Sequence, residues 1–136
     1  MRFEQRELKP YAEPVSPIDL VVEQVYFAVQ FADEGLLIPI VEPLIFIGRN
    51  LKRDDGDLLY FQKFESYSNG VRFDPSTGKN AREVHVRGPD DLKHIFEFEK
   101  ALNELMSCSL RRRHRQRGES FGEQFTRAFR MEPAST

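Results

Sequence analysis

The hydrophobic positions of residues 25–31 follow a period of two. The odd-numbered residues are Val, Phe, Val and Phe, and the even-numbered ones are Tyr, Ala and Gln. Successive side chains of a strand point to opposite faces of a sheet, so this period is typical of a half-buried strand. We therefore predict a strand over residues 25–31, followed by the turn sequence Asp33-Glu34-Gly35.

Five further short segments have strand-like patterns and are separated by turn residues. They are residues 36–41, 44–47, 58–62, 71–73 and 82–86. Pro39 lacks an N–H group, which places the first of these strands at a sheet edge or at a bulge. Residues 66–70 predict either a helical turn closed by Gly70 or an Asn-Gly hairpin turn. Strands this short and this closely spaced favour an antiparallel sheet over parallel βαβ units.

The hydrophobic pattern changes to the helical period after Gly88-Pro89. We predict a helix from about Asp90 to Arg112, with an acidic start and a basic end as the helix dipole prefers. Its hydrophobic face consists of Leu92, Ile95, Phe96, Leu102, Leu105, Met106 and Leu110. A single helical turn is predicted at residues 16–19, because Ser16 and Pro17 suit the first positions of a helix. We expect the neighbouring Ile18 and Leu20 to pack beneath the strand that follows.

These elements together predict an α+β fold. We expect a small, bent antiparallel sheet of five or six strands, or an SH3-like barrel, packed by one long C-terminal helix. Residues 1–117 would form a single globular domain, in which residues 1–15 are an extended arm, 25–86 contain the strands and 90–112 form the helix. Residues 118–136 would form a short amphipathic tail.

That tail has a pattern of its own. Ser120 and Glu123 have the spacing of a capping box, and Phe121, Phe125 and Phe129 recur every fourth residue, on one face of a short helix. This face could pack on its own domain, dock on a partner chain or lie on a membrane surface. Packing within the domain or between copies is the interpretation that we prefer, because apolar helix faces usually end up in a protein core.

The composition limits the class of protein. A length of 136 residues corresponds to one domain, and an apolar content of 40% is too high for a disordered chain. The single Cys108 excludes an internal disulfide framework and fits a reducing compartment. No apolar run is long enough to span a membrane, and the charged N-terminus is unlike a signal peptide. We therefore expect a soluble cytoplasmic protein.

Charge is distributed unevenly along the chain. Residues 1–110 carry 13 basic and 19 acidic side chains, whereas residues 111–136 carry seven Arg and three Glu. The segment after the helix contains Arg111, Arg112, Arg113, Arg115 and Arg117. These arginines could neutralise phosphates of a nucleic acid, or they could complement the C-terminal end of the helix dipole and otherwise be solvated. The acidic body counts against a broad nucleic-acid-binding face.

No catalytic or metal-binding motif is present. His85, His94 and His114 lack metal-ligand spacing, and Cys108 has no second cysteine beside it. There is no nucleophile elbow and no phosphate-binding loop. We therefore predict a protein that is not an enzyme and has no cofactor and no metal; a small enzyme without a recognisable motif is one alternative.

Four polar residues near strand ends are candidates for partner binding: Arg49, Tyr60, Tyr67 and Arg72. Tyr and Arg are enriched at binding hot spots, and in a small barrel these four could line a shallow peptide groove. The simpler interpretation is that the tyrosine rings are partly buried with hydrated hydroxyls. Together with the three phenylalanines of the tail, they predict a non-enzymatic protein–protein interaction module that self-associates, for instance as a homodimer. The alternative function is an accessory protein that binds nucleic acid through Arg111–Arg117.

Overall fold

The computed structural model describes residues 12–118, the side chains through residue 116, and contains five strands in one antiparallel sheet. The strands are β1 (Val25–Phe31), β2 (Pro39–Arg49), β3 (Leu59–Lys63), β4 (Val84–Arg87) and β5 (Ile95–Phe96). The helices are α1 (Phe64–Ser68) and α2 (Phe98–Gly118), with 3-10 turns at Pro17–Asp19 and Ala81–Glu83. The strand order is β4-β3-β2-β1-β5. The predicted α+β class, with an antiparallel sheet packed by one long C-terminal helix, is confirmed.

The SH3-like barrel that we gave as an alternative does not form. A barrel requires the two outermost strands to pair, and β4 and β5 lie at opposite edges of an open sheet. The five strands do not correspond one to one to the six predicted segments, because residues 39–41 and 44–47 belong to the single strand β2, residues 71–73 are not a strand, and β5 lies within the predicted helix.

Pro39 and Pro43 are the reason that β2 was predicted as two separate strands. Pro39 and Pro43 lie beyond Leu44–Lys63, the last residue pair between β2 and β3. That side of β2 has no hydrogen-bond ladder at this point, so a missing N–H group leaves no partner unsatisfied. The pairing of β2 with β1 continues through both prolines. Pro39 therefore lies on an edge portion of β2, and a register shift that was not predicted occurs between Phe46 and Gly48.

The long helix begins at Phe98, not near Asp90 as predicted. Residues 88–94 connect β4 at one edge of the sheet to β5 at the opposite edge. Five strands about 4.8 Å apart span roughly 19 Å. The eight steps from Arg87 to Ile95 would cover only about 12 Å as a helix but about 26 Å in extended form. The connection is therefore not a helix. It contains two turns, in which the Asp91 N–H donates to the Gly88 carbonyl oxygen and the Ile95 N–H to the Leu92 carbonyl oxygen, and Ile95–Phe96 pairs with β1 as an edge strand.

The two faces of the sheet are covered by different segments. We call the first the crossover face, because residues 88–94 cross it together with residues 15–20. Its buried core consists of Val15, Leu20, Tyr26, Leu44, Phe46, Leu59, Phe61, Leu92 and Ile95. We call the second the helix face, since α2 packs on β1 and β5 there. Its core consists of Ala12, Val29, Phe96 and Ala101, with Phe27, Phe31 and Leu105 partly buried against them.

Several single-residue predictions can be compared with this packing. Cys108 is buried, as predicted, and its thiol donates to the carbonyl oxygens of Leu36 and Leu37 at 3.5 and 3.6 Å. Leu20 is buried, but Ile18 is 85% exposed, so only one of the two residues packs beneath β1. None of the described helices has the length and hydrophobicity needed to cross a membrane.

The aromatic cluster of the crossover face supplies a test of this core. Phe61 is fully buried, and its ring centroid lies 5.4 Å from that of Phe46 and 6.5 Å from that of Tyr26. We expect Phe61→Ala to lower the free energy of unfolding by about 3–5 kcal/mol, because it removes buried contacts and leaves a cavity. Urea denaturation measures the change. The control Ile18→Ala should stay within about 0.5 kcal/mol of the wild type, and a loss below about 1 kcal/mol for Phe61→Ala would contradict the assigned core.

Candidate functional site

A groove of about 330 Å³ opens beside α1 and contains two of the predicted binding residues, Tyr67 and Arg72. Its apolar lining consists of Val22, Ile47, Leu51, Phe73 and Pro75. The polar residues Glu23 and Gln62 also line it. We call this site the Tyr67–Arg72 groove.

A tight turn after α1 brings Tyr67 and Arg72 together. Gly70 has a φ of +88°, which few other residues adopt readily, and it reverses the chain after α1. The guanidinium carbon of Arg72 then lies 3.6 Å from the centroid of the Tyr67 ring. Arg72 Nη1 donates to the carbonyl oxygens of Tyr67 and Val71 at 2.7 and 2.8 Å. Cation–π stacking and two hydrogen bonds therefore hold this pair in one arrangement.

Gln62 connects the groove to the sheet. Its side chain is fully buried, and its Nε2 donates to Ser66 Oγ at 3.1 Å and to the Val71 carbonyl oxygen at 2.8 Å. The Val71 carbonyl can only accept, which fixes the orientation of the amide. Gln62 Oε1 has no hydrogen-bond partner among the described residues. Sequence reasoning missed this residue, because its role depends on burial.

Tyr60 supports the groove from within and is not a contact residue. It is 1% exposed, so the prediction that it contacts a partner is wrong. Its ring stacks on Phe73 with centroids 5.8 Å apart, and its hydroxyl donates to Asp55 Oδ2 at 2.5 Å. Burial, together with the hydrogen bond to Asp55 and the charge of that carboxylate, raises the pKa of Tyr60 to about 12. Tyr60 thus positions Phe73, which lines the groove.

Arg49 lies apart from the groove. It is exposed, donates to the Pro17 carbonyl oxygen, and its guanidinium carbon lies 5.5 Å from the centroid of the Phe46 ring. These contacts attach the segment before β1 to the end of β2. The structure therefore brings together two of the four candidate residues.

The basic segment of α2 is divided between the body and the solvent. Arg111 Nε donates to the Leu36 carbonyl oxygen at 3.0 Å, and its guanidinium carbon lies 5.1 Å from the centroid of the Phe31 ring. Arg115, one turn later, is half-buried, whereas Arg112 and Arg113 are exposed. The described arginines therefore do not share one exposed face. The side chain of Arg117 and all of Phe121, Phe125 and Phe129 lie outside the described part of the chain.

A second cavity, of about 190 Å³, contains acid and base side chains that the sequence did not associate. His85 Nε2 lies 3.6 Å from Glu42 Oε1, and Arg87 Nη1 lies 3.7 Å from Asp91 Oδ2. His94 also lines this cavity. The lining includes no Ser, Thr, Cys, Lys or Tyr, so its Asp, Glu and His side chains are the groups capable of proton transfer or nucleophilic attack. Among residues 12–118, no three His, Cys, Asp or Glu side chains are grouped so that they could hold a metal ion.

Comparison with known proteins identifies no relative of this chain. No protein-family model, no curated protein and no solved structure matches the chain. The function must therefore be argued from the geometry of the site. Of the two cavities, the Tyr67–Arg72 groove has the larger share of apolar residues in its lining.

The raised pKa of Tyr60 predicts a pH dependence of stability. Because the folded-state pKa lies above the ordinary value of 10.0, the folded protein retains a proton that the unfolded chain loses as the pH rises from about 10 to about 12. The stabilisation is thus fully present below pH 10 and is lost as the pH rises through the folded-state value. We expect urea denaturation to show this loss in the wild type and to show less of it in Tyr60→Phe. Tyr67→Phe is the matched control; an equal loss in wild type and Tyr60→Phe would show that Tyr60 does not contribute.

Proposed function

We propose that the protein is a non-enzymatic protein–protein interaction module that self-associates through the Tyr67–Arg72 groove. The observation that carries the proposal is the Tyr67–Arg72 stack, which stands beside apolar side chains in one concave surface. Tyr and Arg in such surroundings are the residue types enriched at the centres of protein interfaces.

The groove is ordered before any partner binds. Arg72 is held by the Tyr67 ring and by the carbonyl oxygens of Tyr67 and Val71. Ordering a long side chain on binding costs roughly 0.5–1.5 kcal/mol, and these contacts have already ordered Arg72. Only Nη1 of Arg72 forms hydrogen bonds to the described residues, so the rest of the guanidinium can donate to carbonyl oxygens of a bound chain.

Exposed apolar side chains at the groove are the second support for the proposal. Val22 lines the groove and is 53% exposed, and the adjacent Val21 is 55% exposed. Complete burial of one such side chain contributes about 1.5–3 kcal/mol. A second copy of the chain offers the same valines at the edge of its own groove, as a two-fold symmetric contact requires.

Light scattering after size-exclusion chromatography tests this proposal. We expect the full chain to reach twice its mass of 15.9 kDa as its concentration rises. Val22→Asp should raise the dissociation constant at least about tenfold, equivalent to about 1.4 kcal/mol, because it places a carboxylate in the apolar contact. Ile40→Asp is the matched control, since Ile40 is 54% exposed and does not line the groove.

Two results would contradict the proposal in different ways. A mass of one chain at every concentration would reject self-association. Association that Val22→Asp and Ile40→Asp leave equally strong would instead assign the contact to another surface.

A further inference from the structure

Part of the helix face is apolar and uncovered. Val25, Val41 and Phe98 are 37%, 42% and 64% exposed, and Pro43 is exposed as well. The β1–β2 register places Phe27 opposite Pro43, and the rings of Phe27 and Phe98 are 5.8 Å apart. We call these five residues the apolar strip. Contiguous exposed apolar surface of this kind marks a site that another element covers.

The dimensions of the sheet explain why the strip is open. A helix is about 10 Å wide, whereas five strands span roughly 19 Å. Among the described residues, helix α2 packs on β1 and β5 and helix α1 contacts β2 and β3, which leaves Val41 and Pro43 of β2 exposed. Packed helices lie 8–10 Å apart, so a second helix beside α2 would lie over β2.

The C-terminal half of α2 lies near one end of this strip. Arg111 contacts Phe31 and Leu36, so the C-terminal half of α2 lies at the turn between β1 and β2. From that turn β2 leads back through Val41 and Pro43 towards the level of Val25. Residues 119–136 follow Gly118, the last residue of α2. A reversal of the chain after Gly118 would direct them along the strip.

The spacing of the phenylalanines matches the length of the strip. In a helix, Phe121, Phe125 and Phe129 would lie on one face and span about 12 Å along its axis. The strand from Val41 to Ile45, which pairs with Val25, covers about 13 Å.

We propose that residues 119–136 dock on the apolar strip of their own chain, with Phe121, Phe125 and Phe129 against Val25, Phe27, Val41, Pro43 and Phe98. The occupant is the same chain, not a second copy, because a short tether raises the local concentration of the segment to the millimolar range. The strip and the Tyr67–Arg72 groove share no residue, so this docking is independent of self-association.

Hydrogen–deuterium exchange of the full chain, followed by mass spectrometry, tests the docking. We expect the amides of residues 121–129 to exchange at least about tenfold more slowly than in an unstructured peptide, since docking protects them. Val41→Asp should abolish this protection. Ile40→Asp should retain it, because Ile40 is the adjacent residue of β2, points to the opposite face and is similarly exposed. Continued protection of β3 in the same spectra would show that each variant is folded.

A second pair of variants examines the other side of the contact. Phe125→Ser should abolish protection of the segment, and Thr126→Ser, one residue further, should not. This pair keeps the test decisive if Val41→Asp fails to fold. Val22→Asp should leave the protection unchanged, which separates the docking from the Tyr67–Arg72 groove.

Three results would overturn the proposal. Unprotected amides at 121–129 in the wild type would show that nothing docks. Equal loss in Val41→Asp and Ile40→Asp would exclude the strip as the docking site. Protection that appears only with a mass of two chains would identify a second copy as the occupant.

Discussion

The connection from β4 to β5 has to cross the whole width of the sheet, and most of the architecture depends on that crossing. Its seven residues, 88–94, are too few to cross as a helix, and they cross through two turns instead. By crossing, they cover one face with Leu92, place Ile95–Phe96 against β1 and start α2 at the edge of the other face. They also bring Asp91 and His94 above His85 and Glu42, which produces the polar cavity.

The local sequence pattern was sufficient to predict an element wherever its conformation depends on residues that are adjacent in the chain. The period of two predicted β1 with its observed bounds. Of the two turns predicted for residues 66–70, the helical turn is the one that forms. The prediction of a helix at residues 92–96 was wrong, because Leu92, Ile95 and Phe96 fit the hydrophobic face of a helix and a non-helical crossing segment equally well. The choice between the two depends on the distance between sheet edges, which no window of sequence contains. The division of β2 into two predicted strands was wrong for a similar reason, since β3 ends before it reaches Pro39 and Pro43.

The candidate site likewise has some features that residue type and spacing predicted and others that depend on the folded structure. Residue type pointed to Tyr67 and Arg72, and a five-residue separation across a glycine turn let them stack. Residue type pointed equally to Tyr60, which is buried and contacts Phe73 and Asp55. The pairing of His85 with Glu42 spans β2, β3 and β4 and could not be inferred without their register.

The asymmetry between the two faces determines where interactions can occur. The crossover face is covered by residues 15–20 and 88–94, and its large side chains are almost fully buried. The helix face has one long helix near one edge and the short α1 with its turn near the other. Since Gln62 pairs with Ile45 and Ile45 pairs with Val25, the groove residue Gln62 and the strip residue Val25 lie on this same face. A sheet that is twice as wide as its covering helix leaves apolar surface between elements, and this surface is available for contacts with other segments or chains.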